Sequence, residues 1–186
     1  MTIEGAVAAI RRGEVVGLPT DTVYGIGADP MSEAAVNRLF DLKGRPEHKP
    51  IGLLLASLEQ AEVIGEMSGL AADLATAHWP GALTLVVTPR VILADWVGDT
   101  QRLTVGIRVP DHPVTLELLA AVGPLAVTSA NVSGGAESLS DREARAVFGD
   151  QVAFYVEGTC SGGEASTVVD VTRGEVVVLR RGPVRV

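Results

Sequence analysis

The chain has 186 residues, a formal net charge of −8 at pH 7 and 4% aromatic residues. This length allows one domain with a sizeable core, and the acidic balance disfavours nonspecific adhesion to nucleic acid, which needs a basic surface. The scarcity of aromatic residues argues against a platform on which bases stack. The amino terminus lacks a basic segment followed by an apolar one, and no apolar run approaches the roughly 20 residues that cross a bilayer. We therefore expect a soluble, cytoplasmic protein.

The first part of the chain predicts two helices, each followed by a buried strand. The first helix ends at Gly13, and the second has Ser32 as its N-cap and ends at Gly44. Gly25 and Gly27 come after the first strand, and we expect them to interrupt regular structure. The segments are, in order, the helix EGAVAAIRRG, the strand EVVGLP, the helix SEAAVNRLFDLKG and the central strand IGLLLAS.

The rest of the chain predicts further helices and then a run of strands. Ser57 to Gln60 and Ser140 to Glu143 fit capping boxes that begin helices, and the first of these helical regions runs, with a break that contains glycine, to His78. The other segments are the strands ALTLVVTP and LTVGIRVP, the helix HPVTLELLAAVG, and the strands PLAVTSA, QVAFYVEG, STVVDVT and EVVVLRRG. We predict a single α/β domain with a twisted mixed sheet of about seven strands covered by helices.

Four irregular segments with polar or basic side chains adjoin apolar strands: PTDTVYG, KGRPEHKP, RVPDH and TSANVSGG. Strand ends in open α/β sheets converge on one crevice, which makes these segments candidates for a shared ligand site. Both lysines of the chain, Lys43 and Lys49, flank Arg45 in the second segment. The three cations suit a polyanion such as phosphate, or else complement the carboxyl end of a helix. Pro46 and Pro50 stiffen the backbone there, which favours the ligand site.

Hydroxyl and amide groups are dense in TSANVSGG. Ser129 and Asn131, with the neighbouring backbone N–H groups, are suited to surround an anion or nucleotide, and equally to cap turns. Cys160 is the single cysteine, which excludes an intramolecular disulfide, and a lone cysteine is more often incidental than nucleophilic.

Charged side chains in the apolar surroundings of the strands need partners. Arg108 lies near the end of an apolar strand and calls for a carboxylate, because an unpaired buried guanidinium is costly. Asp111, Glu117 or a substrate carboxylate would serve. Asp21 and Asp170 are candidate magnesium ligands, although Asp beside threonine more often caps a turn.

Seven stretches stand out in order along the chain: PTDTVYGIGADP, LFDLKGRPEHKP, WPGALTLVV, VGIRVPDHP, LAVTSANVSG, STVVDV and LRRGPV. Together they resemble the threonylcarbamoyl-AMP synthase family and its YrdC-like domain, from about Val15 to Val184. The resemblance implies a single YrdC-like domain over residues 1–186, without the C-terminal extension domain of longer relatives. It also implies a nucleotidyltransferase that condenses L-threonine, bicarbonate and ATP to L-threonylcarbamoyladenylate and pyrophosphate, for threonylcarbamoyladenosine formation in tRNA.

The resemblance also implies site residues. Lys43 and Arg45 are expected to be catalytic. ATP binding is implied for Arg45, Lys49, Ser129, Asn131 and Arg180, and threonine binding for Thr22, Thr104, Arg108, Val127 and Ser166. Mg²⁺ is expected with ATP, with no residue assigned to the metal. Glu137 stands about where relatives often carry a small hydroxyl residue, and it receives no role.

Two other functions are alternatives. One is a carbamoyl transfer module that handles carbamoyladenylate, and the other is a noncatalytic protein that binds double-stranded RNA or the ribosome through a basic cleft. Under the main hypothesis the partners are ATP, L-threonine, bicarbonate and the downstream tRNA threonylcarbamoyl transferase machinery. Contact with double-stranded RNA or tRNA is left open.

Overall fold

One mixed sheet organises the protein, whose computed structural model describes residues 3–44 and 50–186. The strands are β1 Val16–Leu18, β2 Gly25–Ala28, β3 Gly52–Leu54, β4 Leu83–Val87, β5 Val105–Arg108, β6 Leu125–Ser129, β7 Phe154–Tyr155, β8 Thr167–Asp170 and β9 Val177–Arg180. Within the described residues, these nine strands pair in the order β7-β1-β2-β6-β3-β5-β4-β8-β9. The pairs β1 with β7, β3 with β5 and β4 with β8 are parallel, and the others are antiparallel. The predicted mixed α/β sheet is confirmed, with nine strands instead of about seven.

Three of the helices begin where the sequence predicts a serine cap. The helices are α1 Ile3–Arg11, α2 Glu33–Lys43, α3 Leu58–Ile64, α4 Leu70–His78, α5 Pro113–Val122 and α6 Asp141–Phe148. The hydroxyls of Ser32, Ser57 and Ser140 each accept a hydrogen bond from the backbone N–H three residues later. Gly44 ends α2 with a φ of 58°, a conformation that glycine adopts without strain. In the described part of the chain no helix is long and apolar enough to cross a membrane.

Strand β2 corrects one expectation. Gly25 and Gly27 do not interrupt regular structure, because both lie inside β2, between β1 and β6. A Cβ atom on either glycine would come within 2.9 Å of the Val127 side chain on β6. Glycine is therefore required here by the close approach of β6, and the prediction of a break at these positions is wrong.

The two faces of the sheet have different surroundings. Leu83, Leu85 and Val87 of β4 are buried and belong to one core cluster that also contains residues of α3 and α4. Thr84 and Val86, which alternate with them, point to the opposite face and are only partly buried. Strand β8 repeats this pattern. One face of the sheet thus packs on this cluster. The other face packs on α1 and α5 through a second cluster, and it has an accessible area next to β4 and β8.

Candidate functional site

A cavity of about 360 Å³ lies on the accessible face of the sheet. Its walls come from seven strands and from the end of α2, through Gly25, Leu53, Thr84, Gly106, Ser129, Val168, Leu179 and Lys43 among others. This volume falls within the range of small-molecule sites. The site had been expected at the strand ends, but the cavity extends across the face of the sheet.

The residues implied by the resemblance largely meet in this cavity. Its lining includes Thr22, Lys43, Thr104, Arg108, Val127, Ser129, Ser166 and Arg180. Asn131 lies next to it, in contact with Lys43 and Ser129. Arg45 and Lys49 lie outside the described residues. Side chains that are far apart in the sequence are thus gathered around one space.

Arg108 lines the cavity and is buried. Its Nη2 donates to Asp21 Oδ1 at 2.5 Å, its Nη1 to Thr22 Oγ1 at 2.9 Å and its Nε to the Gly81 carbonyl at 2.8 Å. Burial lowers the pKa of Arg108, and the Asp21 carboxylate opposes this effect. The expectation of Asp111 or Glu117 as the protein partner is wrong. Asp111 contributes only its backbone N–H, which donates to the same Asp21 oxygen.

The PTDT turn between β1 and β2 presents Asp21 and Thr22 to Arg108. Thr20 Oγ1 donates to the Val23 carbonyl and lies 2.9 Å from Thr22 Oγ1, so the two buried hydroxyls hold the turn from inside. The backbone N–H of Thr20 donates to Cys160 Sγ at 3.3 Å. The turn is therefore supported on both sides, and it holds the Asp21 carboxylate that accepts from Arg108.

Lys43 also lines the cavity and is only 1% exposed. Its Nζ donates to the Ser129 carbonyl at 2.7 Å and to Asn131 Oδ1 at 2.5 Å, and lies 3.3 Å from Ser129 Oγ. Asn131 Nδ2 in turn donates to the Gly135 carbonyl at 2.8 Å. The last residue of α2 and the turn after β6 therefore form one polar cluster with a buried positive charge.

A second polar cluster lies on β8 and β9. Arg180 donates through Nε to the Ser166 carbonyl at 2.9 Å and through Nη2 to Ser166 Oγ at 3.1 Å. Ser166 Oγ is also 2.8 Å from Thr84 Oγ1 on β4. Arg180 is thereby oriented by a residue that itself lines the cavity.

Carboxylates also reach the cavity, from Asp99, Glu137 and Asp170. Asp99 Oδ1 accepts from the backbone N–H groups of Gln101 and Arg102. Asp170 Oδ1 accepts from both the backbone N–H and the hydroxyl of Thr172. No site role was predicted for Asp99 or Glu137, and Asp170 was predicted only as a metal ligand.

Comparisons with known proteins identify the family. A family model described as telomere recombination, for Sua5, YciO and YrdC proteins, matches residues 8–182. The chain belongs to the Sua5/YciO/YrdC family. A relative from Vibrio cholerae named threonylcarbamoyl-AMP synthase is 38% identical over 184 residues, with 97% of each chain covered.

Two further relatives support the same family assignment. One from Mycobacterium tuberculosis, which bears the same name with a provisional qualifier, is 46% identical over 184 residues, covering 98% of this chain and 84% of the relative. The structure of P. abyssi Sua5 complexed with L-threonine superposes with a TM-score of 0.87 and 38% identity, covering 95% of this chain and 53% of that one. The chain thus spans about half the length of the P. abyssi protein.

Two residues of this Sua5/YciO/YrdC chain have contacts in the site that the sequence did not indicate. Asp21 was taken for a turn residue or a metal ligand, and it is the partner of Arg108. Thr84 received no role, although it contacts Ser166. The available signal was its position as the polar residue within the apolar strand ALTLVV.

Proposed function

We propose that this chain is a threonylcarbamoyl-AMP synthase. It condenses L-threonine, bicarbonate or CO₂, and ATP to L-threonylcarbamoyladenylate and pyrophosphate, for threonylcarbamoyladenosine formation in tRNA. Family membership and the Vibrio cholerae relative, which matches over nearly its whole length, support this activity. The observation that carries the proposal is one cavity lined both by an enclosed guanidinium and by a cluster of lysine, hydroxyl and amide groups.

Arg108 is the proposed receptor for the threonine carboxylate. A guanidinium has five N–H donors, and three of them are used by Gly81, Thr22 and Asp21. The two that remain face no acceptor among the described residues and suit a carboxylate. Thr22, Thr104, Val127 and Ser166 line the same cavity and complete the proposed threonine site. The complex of P. abyssi Sua5 with L-threonine supports this assignment.

The proposed nucleotide site is formed by the Lys43 cluster and Arg180. Ser129 and Asn131 carry oxygen and nitrogen atoms that are already ordered by Lys43, so little entropy is lost when a ligand binds them. Arg180 adds a guanidinium held by Ser166. Arg45 and Lys49 are proposed to contact the phosphates, from the segment outside the described residues.

The reaction depends more on the positioning of its substrates than on a covalent intermediate with the protein. The threonine amine attacks CO₂ and loses a proton, giving a carbamate; a carbamate oxygen then attacks the α-phosphorus, and pyrophosphate leaves. Neither step needs a protein nucleophile. The cavity supplies what the steps do need, which is a fixed amino acid and cations near the phosphates. Lys43 and Arg45 are the proposed catalytic residues on this ground.

Mg²⁺ is expected to enter with ATP and to neutralise charge on its phosphates. Such an ion is usually held by one or two carboxylates together with substrate phosphates. Glu137 lines the cavity, and a Mg²⁺ ion between its carboxylate and a phosphate would remove the repulsion between the two charges. No residue is assigned to the metal.

The adenylate is a reactive mixed anhydride and must be passed on. We propose that its acceptor is the tRNA threonylcarbamoyl transferase machinery of the cytoplasm, with tRNA as the final recipient. The net charge of −8 disfavours a tight, nonspecific hold on the tRNA by this chain itself. Transfer is then expected to depend on the partner enzyme.

Pyrophosphate release from ATP tests the proposal directly. It should require both L-threonine and bicarbonate, and it should yield threonylcarbamoyladenylate detectable by mass spectrometry. Release that is independent of threonine and bicarbonate would overturn the synthase assignment. Formation of an adenylate from ATP and carbamoyl phosphate, in place of threonine and bicarbonate, would favour the carbamoyl transfer alternative.

A further inference from the structure

Thr84 lies on β4 beside the first residues of β8. Its Cα pairs with Val168, and its Oγ1 is 2.8 Å from Ser166 Oγ. Ser166 is 4% exposed and also receives two hydrogen bonds from Arg180, one at its carbonyl and one at its hydroxyl. The three residues form a continuous chain of hydrogen bonds along one wall of the cavity.

The methyl group of Thr84 lies on the side of β5. Its Cγ2 lies close to Gly106 of β5, where an added Cβ would stand at 3.4 Å. The hydroxyl on the other branch makes the contact with Ser166 by itself, so a serine side chain at this position can make it as well. Thr84 Oγ1 is thereby directed at Ser166.

The contact with Thr84 limits how the Ser166 hydroxyl can bind a ligand. A serine hydroxyl has one proton to donate and two lone pairs that accept. Arg180 occupies one lone pair of Ser166, and Thr84 takes either the proton or the second lone pair. One position is left for a ligand in the cavity. Thr84 thus decides whether Ser166 meets that ligand as a donor or as an acceptor.

We propose that Thr84 is a positioning residue that couples threonine binding to nucleotide binding through Ser166 and Arg180. The inference rests on the proposed function, because it takes Ser166 to meet threonine and Arg180 to meet the nucleotide. A ligand that orders the Ser166 hydroxyl also orders the guanidinium bonded to it, so the second ligand loses less conformational freedom. By linkage, each substrate then tightens the binding of the other by the same factor.

Thr84→Val and Thr84→Ser test this inference as a matched pair. Valine keeps the shape and removes the hydroxyl, whereas serine keeps the hydroxyl and removes the methyl group. Calorimetry would measure the threonine Kd with and without a nonhydrolysable ATP analogue. We expect wild type to bind threonine several-fold more tightly with the analogue. Thr84→Val should bind threonine on the order of 10-fold more weakly and lose the dependence on the analogue, and Thr84→Ser should retain both.

The outcomes separate the inference from the function on which it rests. Wild-type coupling in Thr84→Val, loss of coupling in Thr84→Ser, or no coupling in wild type would each overturn the role of Thr84. Pyrophosphate release that still requires threonine and bicarbonate would leave the synthase assignment standing in each case. Absence of threonine and ATP binding in wild type would overturn the synthase assignment instead, and the inference with it.

Discussion

Asp21 accepts a hydrogen bond from Arg108 across 87 positions of sequence, at 2.5 Å. The side chains of Arg108 and Asp21 are only 7% and 14% exposed, so their attraction is weakly screened by solvent. The carboxylate holds the guanidinium in place, together with Thr22 and Gly81. Asp21 thereby orients Arg108, the proposed threonine receptor. It is not one of the residues that line the cavity, and the family resemblance implied no role for it.

Asp21→Asn should weaken threonine binding and destabilise the fold. The amide keeps an acceptor for Arg108 but loses the charge, and a hydrogen bond to a charged group contributes about 1.5–3 kcal/mol. We expect the KM for threonine to rise by about 10-fold or more, with the KM for ATP nearly unchanged. Initial rates of pyrophosphate release and urea unfolding would measure the two effects.

Asp111→Asn is the matched control for that variant. Asp111 lies close to the same pair, but only its backbone N–H contacts Asp21, so its side-chain charge should matter little. An equal rise of the threonine KM in both variants would show that the charge near Arg108 acts at long range, and would contradict the specific role of Asp21.

Lys43→Ala should abolish most of the turnover. The substitution removes a buried ammonium from the wall of the proposed nucleotide site and frees Ser129 and Asn131 from it. Loss of such a charge typically lowers the rate by on the order of 10²-fold or more. Pyrophosphate release measures the rate, and circular dichroism checks that the variant is folded.

Arg38→Ala serves as the control for Lys43→Ala. Arg38 is on the same helix, and its guanidinium contacts Gln151 at the surface, outside the cavity. The Arg38→Ala substitution removes the same formal charge as Lys43→Ala, and the variant should keep the wild-type rate. A folded Lys43→Ala variant that matches Arg38→Ala in turnover would refute the catalytic assignment of Lys43.

Cys160 should be dispensable for the reaction and slow to react. Burial raises the pKa of the thiol, with the hydrogen bond from Thr20 opposing it, so the thiol stays protonated at neutral pH. Cys160→Ser keeps an acceptor for the Thr20 N–H and should retain pyrophosphate release within about twofold of wild type. Alkylation of the wild-type thiol should be slow at neutral pH and accelerate only in alkaline solution. Fast alkylation at neutral pH, or a Cys160→Ser variant without activity, would contradict this view.

Features decided within a few residues could be predicted from the sequence, and features decided across the sheet could not. The caps at Ser32, Ser57 and Ser140 depend on a backbone N–H three residues away, which the sequence shows directly. The strand at Gly25 and Gly27 depends on Val127 of a neighbouring strand, which no local pattern reveals.

The same limit applies to the site. Its hydroxyl and cationic residues were named through the family resemblance, whereas spacing alone left the partner of Arg108 undecided. That partner, Asp21, is brought near by the pairing of strands and not by proximity in the chain. Thr84 is likewise 82 positions from Ser166, and only the parallel pairing of β4 with β8 reveals their contact.

Gly27→Ala tests whether the glycines of β2 are required by packing. The new Cβ would lie 2.9 Å from Val127 and 3.0 Å from Leu18, both side chains within the sheet, so the free energy of unfolding should fall by about 1–3 kcal/mol. Gly106→Ala is the control, because its Cβ would meet its nearest neighbour at an ordinary 3.4 Å. Val127→Ala combined with Gly27→Ala should recover part of the loss, since the smaller side chain makes room. Urea unfolding that shows Gly27→Ala as stable as Gly106→Ala would mean that β6 can move away from β2 at little cost.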